Sequence, residues 1–125
     1  AMPATLDAAA LCKMADRGQI TGGVLDGPLA FDNAVSAAAA LTKGIQSPVA
    51  GQADVLLVPD LESGNMLAKQ LEYLAGASSS GVVLGARVPI ALTSRADGAA
   101  SRVASAALAA VVSRATLAAA AAAAP

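Results

Sequence analysis

The chain has 125 residues, a hydrophobic fraction of 56%, a mean hydropathy of +0.62 and a formal net charge of −1. Aromatic residues make up 2% and the basic residues are scattered, so the basic, stacking surface that nucleic-acid binding needs is missing and nucleic acid is excluded as a partner. Histidine is absent, which excludes a Ser-His or Cys-His catalytic pair and most zinc sites within this chain.

Apolar spacing, capping residues and glycines divide the chain into alternating helices and strands. The predicted elements are, in chain order, a helix from Thr5 to about Arg17, a strand at 22–26, a helix at 31–43, a strand at 54–58, a helix at about 63–75, strands at 81–84 and 88–93, and a helix opened by Asp97-Gly98. This alternation predicts an α/β fold, with helices on both faces of a mostly parallel sheet. The two close strands around Arg87 are also compatible with an antiparallel hairpin.

Two of these elements are predicted to contribute to the core. The run Val55–Val58 is apolar without alternation, as expected for a strand that is covered on both faces. Leu67, Leu71 and Leu74 share one face of their helix and are expected to point into the core.

Cys12 and the C-terminal run are assigned structural roles. Cys12 is the one cysteine, so no intramolecular disulfide can form, and a small buried side chain in a cytoplasmic protein is the simplest interpretation. The run from Ala104 to Pro125 carries Arg114 and is low in the Leu, Ile and Phe content that drives membrane insertion, so we expect no membrane association. We therefore expect one domain over residues 1–117, followed by an alanine-rich tail at 118–125 that frays.

The segment Thr93–Gly98 is the best candidate anion site, because ligands in α/β folds bind at strand-to-helix turns. Here a strand ends, Arg95 follows and a helix begins, and both helix amides and a bidentate arginine favour phosphate. The alternative is that Ser94 and Asp97 cap the helix while Arg95 pairs with a surface carboxylate.

Two other turns hold candidate substrate-binding residues. Asp26 follows a predicted strand and can orient a donor or act as a base, or it can simply stabilise its turn. Near the helix start after Pro59, Asp60 can accept hydrogen bonds from free amides, while Gly64 and Asn65 suit a small anionic ligand.

Other ligand classes find little support. The loop Ser47–Gly51 has neither GxxxxGK[ST] nor GxGxxG spacing, so a nucleotide or dinucleotide role is unsupported. The carboxylates are dispersed without paired spacing, so we predict no metal site.

Several of these segments resemble, in order and spacing, the C-terminal part of the phosphate acetyl/butyryltransferase family. They read LDGPLAFDNA at 25–34, SPVAGQAD at 47–54, VPDLESGN at 58–65 and LTSRAD at 92–97. The opening MPATLDAAALCKM at 2–14 is similar to the butyryl branch and to proteins fused to an enoyl-CoA hydratase-like part. The resemblance extends to about Ser113.

This resemblance implies a three-layer αβα fold with a mostly parallel sheet, like that of isocitrate and isopropylmalate dehydrogenases, of which this chain would be an incomplete portion. It implies a homodimeric, metal-free enzyme that exchanges a short acyl group between coenzyme A and phosphate, with a coenzyme A thioester as substrate and no cofactor. The acyl group, acetyl or butyryl, stays open.

By the same resemblance, Ser94 and Arg95 match the pair that holds phosphate or acyl phosphate. The family's acetyl branch has an acidic residue downstream that is proposed to deprotonate the coenzyme A thiol, but residues 99–101 here are Ala-Ala-Ser. Asp97 is the nearest carboxylate and is the candidate base, with helix capping as its alternative role. The competing hypothesis for the whole chain is a non-enzymatic α/β ligand-binding module or a truncated remnant, and we expect the isolated chain to be inactive.

Overall fold

The computed structural model describes residues 2–122, and the chain divides into two compact units, Ala1–Ser63 and Gly64–Pro125. The first unit contains helices α1, Pro3–Asp16, α2, Phe31–Val35, and α3, Ala37–Thr42. Helix α4, Leu61–Leu74, crosses the boundary. The second unit then contains strands β1, Val82–Val83, and β2, Ile90–Ala91, and helix α5, Ala99–Ala122.

Helix α1 begins earlier than the sequence predicted. Pro3 occupies its first turn and Met2 is its N-cap residue, which suits the fixed φ and missing amide of proline. The Thr5 hydroxyl donates to the Met2 carbonyl oxygen at 2.7 Å from inside the first turn, so the helix start predicted at Thr5 was wrong. Cys12 is half-buried in α1, and its thiol donates to the Gly27 carbonyl oxygen at 3.7 Å.

The helix predicted at 31–43 forms as two short helices, α2 and α3. Ser36 has extended backbone angles between them, and its hydroxyl accepts a hydrogen bond from the Ala39 amide at 3.3 Å. Serine competes with the helix in this way because its side chain can satisfy an amide at a new helix start.

The strands predicted at 22–26 and 54–58 are not formed in the part of the chain that the structure describes. A strand requires a hydrogen-bonded neighbour, and among the described residues neither segment is paired with one. The loop before residue 54 gives two of its amides to α2. The Gly51 amide donates to the Asn33 carbonyl at 2.7 Å, and the Ala53 amide to the Ala34 carbonyl at 3.0 Å. Val55 is consequently 84% exposed, and the expectation of cover on both faces was wrong for the unit described.

Gly51 makes this close approach possible. Its φ is +87°, and a Cβ atom there would lie 2.5 Å from the Cα of Ala37. No other residue type fits both the backbone angle and the space.

The two strands of the second unit form an antiparallel hairpin, in which Val82 pairs with Ala91 and Val83 with Ile90. Helix α5 packs against both strands. The hairpin around Arg87 is thus the arrangement that the sequence left open. The three-layer fold with a mostly parallel sheet remains a prediction.

Helix α4 begins two residues before its predicted start. The Asp60 carboxylate accepts a hydrogen bond from the Ser63 amide at 2.7 Å, so its predicted capping role is confirmed. Hydrogen bonds from the side chain and the amide of Ser63 lower the pKa of Asp60 below its ordinary value. Leu74, however, is 83% exposed and Leu71 is 40% exposed, so their predicted core positions were wrong within this unit.

The last helix, α5, begins directly after Asp97-Gly98, as predicted. Its segment Ala99–Ala119, with a mean hydropathy of 1.3, is long and apolar enough by length and composition to cross a membrane. The same segment contains Arg102 and Arg114. The absence of membrane association therefore stays a prediction, as does the fraying of the tail, whose residues 123–125 lie outside the described part.

The side chain of Ser105 attaches α5 to the chain segment before β1. Ser105 is 1% exposed, and its hydroxyl accepts from the Gly81 amide at 3.0 Å and donates to the Ser101 carbonyl at 2.7 Å. Gly81 in turn accepts a hydrogen bond from the Leu92 amide at 3.0 Å, and a Cβ atom at Gly81 would overlap the Leu92 carbonyl oxygen. One hydroxyl thus fixes the junction of α5 with both segments that flank the hairpin.

We predict that Ser105→Ala lowers the free energy of unfolding by about 1–2 kcal/mol, because the Gly81 amide loses its acceptor. Urea unfolding measures the loss, and amide hydrogen exchange at Gly81 should become faster. The control is Ser113→Ala on the same helix, with an expected change within about 0.5 kcal/mol. An unchanged exchange rate at Gly81 in Ser105→Ala would contradict this role.

Candidate functional site

The second unit has an open cavity of about 390 Å³ that contains three of the predicted site residues, Asn65, Ser94 and Asp97. One wall is helix α4, and the other walls are the segments 79–81 and 92–97, which lead into and out of the hairpin. The structure therefore brings together residues that are about 30 positions apart in sequence. Gly64, next to Asn65, lies half-buried within α4 and not in a bend before it.

The α4 wall is a polar stripe. Asn65, Ala68, Lys69 and Glu72 all line the cavity, and their spacing of i, i+3, i+4 and i+7 places them on one helix face. Lys69 and Glu72 were not predicted from the sequence as site residues. Their spacing from Asn65 could have identified them, because it places them on the helix face opposite the predicted leucine face.

The turn that carries Ser94 is held by Asp97. The Asp97 Oδ2 atom accepts from the Ser94 amide at 2.7 Å, and the Asp97 amide donates to the Ser94 carbonyl at 3.1 Å. The Ser94 hydroxyl accepts from the Ala96 amide at 3.3 Å. Asp97 therefore stabilises the turn before α5 and fixes the backbone of Ser94 at the cavity. Because the donor is the Ser94 amide and not an amide of α5, this is not the helix-capping contact that the sequence offered as its alternative role.

Arg102 supports the same turn from helix α5. Its Nε atom donates to the Asp97 carbonyl at 3.1 Å, and its Nη2 atom reaches the carbonyls of Ser94 and Arg95 at 3.4 Å each. The fork geometry of a guanidinium suits several carbonyls at once. Arg102 was not predicted from the sequence, since no local motif indicates side-chain contacts with carbonyls five to eight residues earlier in the chain.

Arg95 lies between two lining residues and is exposed to solvent. The turn thus presents a hydroxyl and a guanidinium in neighbouring positions, beside the start of α5 with its unpaired amides. These groups are all hydrogen-bond donors, and this combination suits a phosphate.

Lys69, Glu72 and Ser79 form a hydrogen-bonded set on the opposite side of the cavity. Lys69 Nζ lies 2.6 Å from Glu72 Oε2, and Ser79 Oγ lies 2.7 Å from Glu72 Oε1. Hydrogen bonds from Lys69 and then Ser79 lower the pKa of Glu72. The hydrogen bond to Glu72 chiefly raises the pKa of Lys69, with a further electrostatic contribution from Asp97, so Lys69 is charged at neutral pH.

Asp26 belongs to the other unit. Its Oδ1 atom accepts from the Gly27 amide at 2.8 Å, which is the turn-stabilising contact that the sequence offered as one alternative. The predicted site residues are thus divided between the units, with Asp26 in the first and the remaining five in the second.

The described residues 2–122 contain no group of three or more His, Cys, Asp or Glu side chains that could hold a metal ion. The cavity instead offers hydroxyl, amide, carboxylate and ammonium groups.

Comparison with known proteins identifies relatives of the chain. Residues 1–110 match the family model described as "Phosphate acetyl/butaryl transferase". Over 110 residues the chain is 67% identical to "Phosphate acetyltransferase" from Rhizobium meliloti, covering 88% of this chain and 35% of that protein. It is 75% identical over 97 residues to "Phosphate acetyltransferase" from Rickettsia prowazekii (strain Madrid E), covering 78% and 28% respectively.

A relative with a different printed name is "Probable phosphate butyryltransferase" from Bacillus subtilis (strain 168). It is 58% identical over 108 residues, which cover 86% of this chain and 36% of that protein. The chain thus spans about a third of the length of the curated relatives it matches.

The ionised form of Glu72 is predicted to stabilise the second unit. Because the folded state lowers the pKa of Glu72, this stabilisation is present above the unfolded value of about 4.5 and is lost as pH falls through the folded value. Glu72→Gln should therefore unfold at lower urea than wild type at neutral pH, and the difference should shrink in acid.

The control is Glu62→Gln, which removes an exposed carboxylate from the same helix. If the difference in urea midpoint between Glu72→Gln and wild type stays constant from neutral to acidic pH, ionisation of Glu72 is not the source of the stabilisation.

Proposed function

This chain belongs to the phosphate acetyl/butaryl transferase family, and we propose that it is part of an acyltransferase that exchanges a short acyl group between coenzyme A and inorganic phosphate. The reaction is acyl-CoA + phosphate = acyl phosphate + CoA. The observation that carries the proposal is the meeting of Asn65, Ser94 and Asp97, from separate family motifs, at one cavity.

The chemistry requires orientation and charge stabilisation more than a covalent nucleophile. A phosphate oxygen attacks the thioester carbonyl carbon, a C–O bond forms, the C–S bond breaks, and coenzyme A leaves as a thiolate that takes up a proton. Ser94 can donate to the phosphate through its hydroxyl, and Arg95 can bind two of its oxygens. This mechanism suits a chain that has no histidine.

Asp97 is the proposed proton carrier for the coenzyme A thiol. One of its carboxylate oxygens accepts from the Ser94 amide, and a carboxylate has a second oxygen with which to exchange a proton. The same side chain then sets the position of Ser94 and handles the thiol proton. Gly64 and Asn65 are proposed to contribute to substrate binding from α4, and Asp26 from the first unit.

Several features of the whole enzyme are proposed by the same route. They are a three-layer αβα fold of which this chain forms a portion, a homodimer, a cytoplasmic location, and a reaction without a metal or cofactor. The chain spans about a third of its relatives, so we propose that the remaining two thirds of such an enzyme complete the substrate site and that the isolated chain is inactive.

A chimeric enzyme tests the activity. We predict that residues 1–110, placed in the Rhizobium meliloti relative instead of the matched segment, support release of coenzyme A from acetyl-CoA or butyryl-CoA in the presence of phosphate. The comparison of acetyl-CoA with butyryl-CoA also identifies the preferred acyl group. A folded chimera without turnover, alongside an active parent, would favour the non-enzymatic module instead.

A substitution in the chimera tests the phosphate site. Arg95→Ala should raise the KM for phosphate or lower kcat by at least about tenfold, since a charge-assisted contact contributes about 1.5–3 kcal/mol. Arg95→Lys should rescue only part of the loss, because lysine keeps the charge and loses the fork. Arg17→Ala, an exposed arginine in the first unit, is the control, and wild-type kinetics in Arg95→Ala would refute the assignment.

A further inference from the structure

The charges around the cavity are poorly matched to an anionic substrate unless Lys69 takes part. Among the described residues that line the cavity, two carry carboxylates, Glu72 and Asp97, and one carries an ammonium group, Lys69. Arg95 lies outside this lining and is exposed. Like charges repel, so a phosphate that enters beside two carboxylates is stabilised by a cation on the wall itself in addition to Arg95 of the Ser94 turn.

The hydrogen bonds of Lys69 leave it able to bind such a ligand. An ammonium group has three N–H donors, and Glu72 accepts from one of them at 2.6 Å. The Lys69 side chain is 38% exposed, so the remaining donors can reach the open volume. Lys69 also lies close enough to Asp97 for their charges to interact across the cavity.

Glu72 is held on both of its oxygens and is therefore suited to keep Lys69 in place. Both of its carboxylate oxygens accept hydrogen bonds, one from Lys69 and the other from Ser79. A second contact, with the Tyr73 ring 5.7 Å from Lys69 Nζ, further restricts the ammonium group. A lysine restrained in this way loses less side-chain entropy when it binds a ligand.

We infer that Lys69 binds a substrate phosphoryl group at this cavity, opposite the Ser94 turn, and that Glu72 is its positioning residue. This inference rests on the proposed function for the identity of the ligand, which is either the transferred phosphate or a phosphate of coenzyme A. The geometry of α4 alone places both residues on the cavity wall.

The test is ligand binding to the 125-residue chain, which needs no turnover. Inorganic phosphate and coenzyme A are titrated separately at constant ionic strength, and amide shifts of the Ser94 turn and the ¹³Cε shift of Lys69 are followed by NMR. Lys69→Gln should weaken binding of at least one of the two by about tenfold or more, and Lys69→Arg should retain most of it. Whichever ligand is affected identifies the phosphoryl group that Lys69 contacts.

The matched control is Lys13→Gln, which breaks an ion pair of the same length, 2.6 Å, and the same i,i+3 spacing in the other unit. It changes the net charge equally and should leave both affinities unchanged. Glu72→Gln should weaken binding less than Lys69→Gln, because it releases Lys69 but also removes one of the two carboxylates that repel the ligand. In a Lys69→Gln background it should not weaken binding further, because a positioning residue acts through Lys69.

Three results would overturn the inference: no saturable binding of either ligand, equal affinities in wild type and Lys69→Gln, or additive effects of the two substitutions. If Lys69→Gln does not fold, the wild-type Lys69 ¹³Cε resonance still decides, since it must move on titration while that of Lys13 stays. The chimeric enzyme separates this inference from the proposed function. If the chimera is active and Lys69→Gln leaves its kinetics unchanged, the role of Lys69 alone is refuted. If the folded chimera is inactive, the acyltransferase proposal is refuted.

Discussion

The hydrogen bond between the Gly81 amide and the buried Ser105 hydroxyl is the constraint on which the second unit depends. It joins α5 to the segment that enters the hairpin, and the Leu92 amide joins the segment that leaves it to the same glycine. Both segments are walls of the cavity. A serine serves here because its hydroxyl supplies an acceptor in a buried position, whereas an apolar residue would leave the Gly81 amide without one.

The two sides of the cavity are held by different kinds of contact. The Ser94 turn is fixed by backbone-directed contacts, with the Asp97 carboxylate on an amide and the Arg102 guanidinium on carbonyls. The α4 side is fixed by side chains, through the ion pair of Lys69 with Glu72. The first side therefore presents donors fixed by backbone contacts, while the second presents an ammonium group that Glu72 holds in place.

The chain also exposes apolar side chains that its own units do not cover. Val55, Leu57 and Leu74 are each at least 79% exposed, although the sequence pattern is that of buried positions. The first two would suit a central strand, and the third lies on the leucine face of α4, opposite the polar stripe. Such surfaces are consistent with the proposal that a chain spanning about a third of its relatives forms a portion of a larger sheet.

The sequence by itself determined the features that depend on neighbouring residues. These are the starts of the helices after Asp60 and after Asp97-Gly98, the turn at Asp26, and the family to which the chain belongs. Only the tertiary structure decided what depends on distant partners. The segment 54–58 forms no strand in the described residues, since a strand needs a hydrogen-bonded neighbour and no local pattern records whether folding supplies one. Lys69, Arg102 and Ser105 became site and support residues through contacts made across space, because a side chain acquires its role from the groups that folding brings to it.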